Sequence, residues 1–119
     1  MSPHPGEIWL ADLGLAAKTR PVVIVSRHDS EAPRALVIYV PLTSQNRGSR
    51  YEVELPKLHF LKSESVANVQ GVASLPVTRL EHKLGKLPDD WLRKIYQALK
   101  FAFDIIQGRN QNMSLPARA

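Results

Sequence analysis

Cysteine is absent from the 119 residues of this chain, and its absence excludes several classes of protein. Disulfide scaffolds, thiol catalysts, iron–sulfur proteins and most structural zinc sites need cysteine side chains. A chain without cysteine fits a reducing compartment, so we expect the protein to act in the cytoplasm. Long apolar runs are absent too: none approaches the roughly 20 residues of a membrane helix. The first residues also lack the basic and apolar segments of a secretion signal, so we expect neither membrane insertion nor export.

Acidic residues are the minority among the charged side chains. The chain has 16 lysine and arginine residues against 11 aspartate and glutamate residues, which gives a net charge of +5. A basic balance favours polyanionic partners, either a nucleic acid or an acidic protein segment. No carboxylate cluster or histidine spacing indicates a metal site, and we expect no cofactor. The four histidines lie far apart in the sequence and share no motif that would mark an acid–base pair.

The order of the apolar patterns predicts strands first and one helix last, which indicates an α+β fold. The near-continuous apolar run of residues 20–26 predicts a central strand. From Pro88 the apolar period becomes helical, and Gly108 is the expected end of the helix. The length fits one domain, which we assign to residues 1–108, with residues 109–119 as a tail. The other predicted strands cover residues 7–13, 35–40, 51–55, 65–69 and 72–77, with residues 78–80 beyond the last.

Arg20 and the pair Thr43 and Ser44 stand where two predicted strands border polar segments. A guanidinium beside hydroxyl groups at strand ends is an arrangement that holds phosphate. Each residue also has a structural interpretation. Arg20 can be a surface residue paired with Glu7 or Asp12, and Thr43 can be a β-forming residue at a turn.

Four motifs occur in order along the chain and are followed by the terminal helix: Gly6-Glu7-Ile8-Trp9, Lys18-Thr19-Arg20-Pro21-Val22-Val23, Pro41-Leu42-Thr43-Ser44 and Val69-Gln70-Gly71. Together these motifs carry a family resemblance that spans residues from about Pro5 to Gly108. The chain resembles the MazF/PemK family of toxin endoribonucleases. The resemblance implies a small, partly open, SH3-like antiparallel β-barrel with a C-terminal helix, acting as a homodimer that an acidic antitoxin neutralises. It also implies metal-independent, sequence-specific cleavage of single-stranded RNA, often messenger RNA.

Cleavage of RNA without a metal requires attack of the ribose 2′-hydroxyl on the adjacent phosphorus. The products are a 2′,3′-cyclic phosphate and a 5′-hydroxyl end. Arg20 is suited to stabilise the crowded phosphorane, because its planar fork matches phosphate oxygens and stays charged. The resemblance implies that Thr43 adds a hydroxyl at the same phosphate, with Ser44 as an adjacent candidate. Glu7 is either a solvated strand residue or a supporting partner that orients Arg20.

Further polar residues are candidates for RNA binding. Lys18, Arg47 and Arg50 lie in polar turns and form either an electrostatic track for the RNA backbone or a solvated basic surface. Thr19 stands where some relatives have a histidine before the arginine. An antitoxin tail is expected to overlap the RNA site around Arg20 and Arg47.

The chain departs from the family pattern at three places. Gly14-Leu15-Ala16-Ala17 is a short apolar loop where many members have a long Gly-rich one. The histidine replaced by Thr19 is the second departure. At the third, Val69 and Val72 stand where some members have an aspartate and an arginine, which leaves Asn68 and Gln70 as polar groups that position RNA.

Two hypotheses follow from these motifs and departures. One is an active toxin that relies on Arg20 and Thr43. The other is a catalytically weak or inactive module on the same fold that binds an antitoxin, or gyrase as CcdB toxins do.

Overall fold

The computed structural model describes residues 2–14 and 19–106, and we refer to these as the described residues. They form seven strands and one α-helix, which confirms the predicted α+β class. None of their helices is long and apolar enough to span a membrane. The elements are β1 (Glu7–Asp12), β2 (Thr19–Ile24), β3 (Leu36–Thr43), β4 (Glu52–Glu54), β5 (Val66–Asn68), β6 (Ala73–Pro76), β7 (Leu80–Lys86) and α1 (Asp89–Ala102).

The seven strands form one open antiparallel sheet with the order β4-β5-β3-β2-β1-β7, and β6 pairs with β3 outside this path. The predicted central position of β2 is confirmed, since β1 and β3 flank it. Its apolar run is almost continuous because both of its faces are buried. Val23 packs in a core cluster with Ile95 and Leu99 of α1, whereas Val22 and Ile24 pack in a second cluster on the opposite face.

Strand β7 was not predicted beyond its first residue. Its sequence Leu-Glu-His-Lys-Leu-Gly-Lys has few apolar side chains, and most of its residues are exposed. It lies at the edge of the sheet, where it pairs with β1 across two irregularities in register. Charged side chains are common on edge strands, because they discourage pairing with other chains. The strand therefore forms through its pairing with β1 and lacks the local apolar pattern of a buried strand.

The helix ends at Ala102, earlier than the expected end at Gly108. Asp104 adopts a left-handed backbone conformation with φ of 58°, which an α-helix cannot continue through. Ile106 consequently does not join the buried stripe and remains 52% exposed. Gly108, the predicted tail of residues 109–119 and Lys18 lie outside the described residues.

Candidate active site

Arg20 and Thr43 line one open hollow of about 580 Å³, which we call the first hollow. The register of β2 and β3 explains why they meet. Val22 pairs with Pro41, so continuing the antiparallel register by two residues places Arg20 opposite Thr43. The predicted grouping of a guanidinium with hydroxyl groups is therefore present. Further polar residues that line the first hollow are Ser44, Gln45, Ser63 and Ser65.

Arg20 is exposed, and its side chain makes no hydrogen bond or ion pair with any described residue. Neither carboxylate considered as its partner contacts it. Asp12 lies within 4.0 Å of Nη1 of Arg79, which also donates to the Asp12 carbonyl at 3.3 Å. The donors of Arg20 are therefore available to a ligand in the first hollow.

Glu7 does not support Arg20, and the expectation that it orients the guanidinium is wrong. In β1 the residue opposite Arg20 is Ala11. Glu7 lies four residues away along the strand, roughly 13 Å at the usual rise. Its Oε1 accepts hydrogen bonds from the Trp9 indole at 3.0 Å and the His4 amide at 3.1 Å, and its Oε2 accepts one from Lys83 at 3.1 Å.

The Glu7 carboxylate is also not a solvated strand residue, since only 9% of the residue is exposed. Burial by itself raises the pKa of this carboxyl group. The hydrogen bonds from Trp9, His4 and Lys83, together with the charge of Lys83, outweigh the burial and lower the pKa below its ordinary value of 4.5. Glu7 therefore belongs to a structural network that joins β1, β7 and His4.

The hydroxyl of Thr43 has a defined orientation. Its Oγ1 accepts a hydrogen bond from the Gln45 amide at 3.1 Å. The Thr43 hydroxyl is the acceptor in this bond, so its own proton is not used and remains available for donation to a ligand. Ser44 lines the same hollow, as expected for an adjacent candidate. Thr19 pairs with Asp12 at the start of β2 and is not among the residues lining the first hollow.

A second hollow of about 480 Å³ adjoins the first and shares Thr43 and Gln45 with it. Arg47 donates to the Gln45 side chain at 3.3 Å, and Asn68 accepts the Gln70 amide at 3.1 Å. The structure thus brings together three of the six residues predicted to bind RNA. The predicted residues that line the second hollow are Arg47, Asn68 and Gln70.

Gly71 allows the turn that carries Asn68 and Gln70 to lie against β3. A Cβ atom at this position would come within 2.7 Å of Cγ of Pro41. In the same turn, Val69 is fully buried, and Val72 packs against the core. The side chains at the two family-variable positions therefore face the core and are not among those lining either hollow.

Arg50 is separated from this group. Its guanidinium lies over the Phe101 ring of α1 at 3.9 Å from the ring centroid, and it lines a different depression near the end of that helix.

The sequence analysis missed several lining residues, of which Gln45 and Glu52 are the most informative. Gln45 directly follows the recognised Thr43 and Ser44, and Glu52 lies on the predicted alternating strand. Their positions in the sequence could therefore have identified both as candidate site residues. Glu52 provides the one carboxylate among the residues lining the two hollows. Backbone hydrogen bonds from Ser49 and Arg47 lower its pKa below 4.5. No group of three or more histidine, aspartate or glutamate side chains in the described residues could hold a metal ion.

Comparison with known proteins decides the family. Residues 4–103 match the model of the PemK-like, MazF-like toxins of type II toxin–antitoxin systems. The chain belongs to the PemK/MazF toxin family. A curated relative, the probable endoribonuclease MazF5 of Mycobacterium tuberculosis, is 36% identical over 104 residues, covering 86% of this chain and 94% of the relative.

Solved structures of PemK/MazF toxins share the fold. A mycobacterial endoribonuclease in complex with its cognate antitoxin matches with a TM-score of 0.77 and 26% identity, covering 88% of this chain and 98% of that one. The Mycobacterium tuberculosis toxin MazF-mt6 matches with a TM-score of 0.75 and 28% identity, covering 85% of this chain and 99% of that one. The expected toxin family and its fold are confirmed, and the expected enzyme class, an endoribonuclease, agrees with the names of these relatives.

Proposed function

We propose that this PemK/MazF toxin cleaves single-stranded RNA, including messenger RNA, by a metal-independent, sequence-specific mechanism centred on the first hollow. The observation that carries the proposal is the position of Arg20 opposite Thr43, with a guanidinium that has no partner among the described residues. A curated relative named as a probable endoribonuclease supports the reaction class.

In the proposed reaction, the ribose 2′-oxygen attacks the adjacent phosphorus and loses its proton. The bond from phosphorus to the 5′-oxygen breaks, and that oxygen gains a proton. Arg20 holds the non-bridging oxygens as negative charge develops on the phosphorane, and Thr43 donates its hydroxyl proton in a hydrogen bond to the same group. Neighbouring nucleotides contact Arg47, Asn68 and Gln70 in the second hollow.

The chemistry of the RNA ends tests this proposal. Purified protein incubated with single-stranded RNA in EDTA should release fragments with 2′,3′-cyclic phosphate and 5′-hydroxyl ends. Mapping the ends by sequencing and by sensitivity to polynucleotide kinase would distinguish these products from those of a metal-dependent nuclease. Intact RNA, or cleavage that requires added metal, would contradict the proposal.

Replacing Thr43 with valine should slow cleavage about 10- to 100-fold, because one hydrogen bond to a charged group is lost at nearly constant volume. Thr43→Ser keeps the hydroxyl and is the matched control, which should retain most of the activity. Single-turnover rates at saturating enzyme measure the difference. Equal rates for both variants would remove Thr43 from the mechanism.

An acidic antitoxin is proposed to bind across the two hollows and to exclude RNA. The proposal is supported by the antitoxin bound to the mycobacterial relative and by the exposed, basic residues Arg20 and Arg47. An acidic peptide from the C-terminal tail of a cognate antitoxin should raise the apparent KM for RNA without lowering kcat. Simultaneous binding of peptide and RNA, measured by anisotropy of a labelled RNA, would contradict a shared site.

A second candidate function is a weak or inactive toxin that acts by binding an antitoxin or gyrase. The observation favouring it is the lining of the first hollow, where the described residues include no histidine, aspartate or glutamate to exchange a proton. Growth arrest that survives Arg20→Ala would support this candidate.

We further propose that residues 1–108 act as one toxin domain that forms a homodimer in the cytoplasm. Phe103, Ile105 and Ile106 near the end of α1 are each more than half exposed, and burying them against a second copy would remove apolar surface from water. Sedimentation equilibrium measures the association.

A further inference from the structure

The seven arginines of the described residues differ in what their guanidinium groups contact. Four of them have a partner: Arg47 contacts Gln45, Arg50 contacts Phe101, Arg79 contacts Asp12 and Arg93 contacts Asp90. The guanidinium groups of Arg20, Arg27 and Arg34 make no hydrogen bond, ion pair or ring contact with any described residue. One of these three lines the first hollow, and the other two lie together elsewhere.

Arg27 and Arg34 line a third hollow of about 220 Å³. It is formed by the loop between β2 and β3 and by the start of the chain. The third hollow therefore lies at the opposite end of the β2–β3 pair from Arg20. Seven residues separate Arg20 from Arg27, a span on the order of 20 Å in extended chain. The two hollows occupy the two ends of one strand pair.

The third hollow combines cationic and apolar surfaces. Among the described residues that line it, Asp29 has the one carboxylate. This carboxylate accepts the Glu31 amide at 2.9 Å within the loop and makes no ion pair with the arginines. Leu36 is 46% exposed and lines the same hollow. Two guanidinium groups suit a phosphate, and an apolar surface suits a nucleobase.

His28 adds a flat surface to the third hollow. Its imidazole is stacked on that of His4, with ring centroids 4.0 Å apart and 8° between the ring planes. Two of the four histidines are thus brought together in space, although they lie far apart in the sequence. Bases of single-stranded RNA stack on flat side chains of this kind.

Hydrogen bonds hold both ends of the loop. Ile38 donates its amide to Ser26 Oγ at 3.0 Å, and Val77 donates its amide to the Ala35 carbonyl at 3.0 Å. These contacts fix Ser26 and Ala35, which directly flank Arg27 and Arg34. The backbone next to both arginines is therefore held in place before a ligand binds, which lowers the entropy cost of binding.

We propose that the third hollow binds an unpaired nucleotide of the RNA strand outside the cleavage site. Its phosphate lies against Arg27 and Arg34, and its base lies against His28 and Leu36. The inference rests on the proposed RNA cleavage and extends it. RNA long enough to reach both ends of the β2–β3 pair is bound more tightly than RNA confined to the first and second hollows.

The test compares two double variants that each remove two positive charges. Arg27→Gln with Arg34→Gln alters the third hollow, whereas Arg93→Gln with Lys94→Gln alters an exposed part of α1 and is the control. Substrates are oligoribonucleotides of about 4 and about 16 nucleotides, the range that single-strand-binding grooves occupy, centred on the mapped cleavage motif. An uncleavable form with a 2′-deoxy sugar at that motif reports binding by fluorescence anisotropy.

For the third-hollow variant we expect kcat/KM to fall about tenfold on the long RNA, through KM, and less than twofold on the short one. The slope of log K against log salt for the long, uncleavable RNA should become shallower by about 0.7 for each lost phosphate contact. The control variant should match the wild type on both RNAs. Equal losses on long and short RNA, or an unchanged salt slope, would overturn the inference.

A titration with adenosine 5′-monophosphate distinguishes binding of a free nucleotide from binding of a nucleotide within the RNA strand. Shifts of the Ala35 to Val37 amide resonances during a titration would support nucleotide binding in the third hollow. Shifts with this nucleotide and an unchanged salt slope for RNA would overturn the assignment to the RNA strand. If the wild type cleaves no RNA, no motif can be mapped and the proposed function fails, while anisotropy of an intact, mixed-sequence RNA of about 16 nucleotides still decides the role of Arg27 and Arg34.

Discussion

Replacing Arg20 with alanine should lower the rate of RNA cleavage about 10²- to 10³-fold. The expected loss is large because Arg20 lies opposite Thr43 in the first hollow, where the proposed phosphorane carries its negative charge. Arg20→Lys should recover part of the loss, since an ammonium supplies charge without the two parallel donors of a guanidinium. Single-turnover cleavage of an end-labelled RNA in EDTA measures all three proteins.

Arg20 should be replaceable without loss of folding, which makes this experiment interpretable. The side chain is exposed and has no partner among the described residues, so its removal should change the free energy of unfolding by no more than about 0.5 kcal/mol. Arg93→Ala, on the exposed face of α1, is the matched control for loss of one positive charge. An Arg20→Ala protein that is folded and retains more than about a tenth of the wild-type rate would contradict the assigned role.

The substitution Glu7→Gln should destabilise the fold by about 1–3 kcal/mol at pH 7, because a carboxamide offers one acceptor oxygen to donors that two oxygens now satisfy. The donors are the Trp9 indole, the His4 amide and the Lys83 ammonium. The melting temperature should fall by about 4–8 °C for each kcal/mol. Urea unfolding followed by circular dichroism measures the free energy of unfolding.

The effect of Glu7→Gln should depend on pH. Since folding lowers the pKa of Glu7 below 4.5, its stabilising contribution is complete above that value and is lost as the pH falls through the lowered pKa of the folded state. The difference between wild type and Glu7→Gln should therefore shrink on going from pH 7 towards pH 3. Glu81→Gln on the exposed edge strand β7 is the control. A difference that stays constant over this range would assign the effect to packing.

Most of the fold could be predicted because its signals are local. The apolar run of β2 and the helical period after Pro88 depend on neighbours in sequence. Strand β2 lies close to its expected bounds, and α1 begins next to Pro88 although it ends before Gly108. Strand β7 could not be predicted in this way, because its exposed, charged sequence becomes a strand only when β1 lies beside it. The left-handed residue Asp104 ended the helix before the apolar pattern did.

The candidate site was predicted in part for the same reason. Arg20 and Thr43 stand next to strand patterns that the sequence displays, and antiparallel pairing then places them opposite each other. The pairing of Glu7 with Arg20 was predicted wrongly, because the sequence around a carboxylate does not show which cation it will contact. Its partner Lys83 is 76 residues away and comes from the strand that was not predicted.

By itself, the sequence determined the α+β class, the family and the strand-end residues Arg20 and Thr43. These depend on periodicity and on motifs whose residues are adjacent in the chain. Only the tertiary structure decided that Glu7 lies in a buried network, that Arg50 lies over Phe101, and that Arg27 and Arg34 share a hollow. Those contacts join residues from separate elements, and burial and charge pairing are determined only when the sheet and helix have packed.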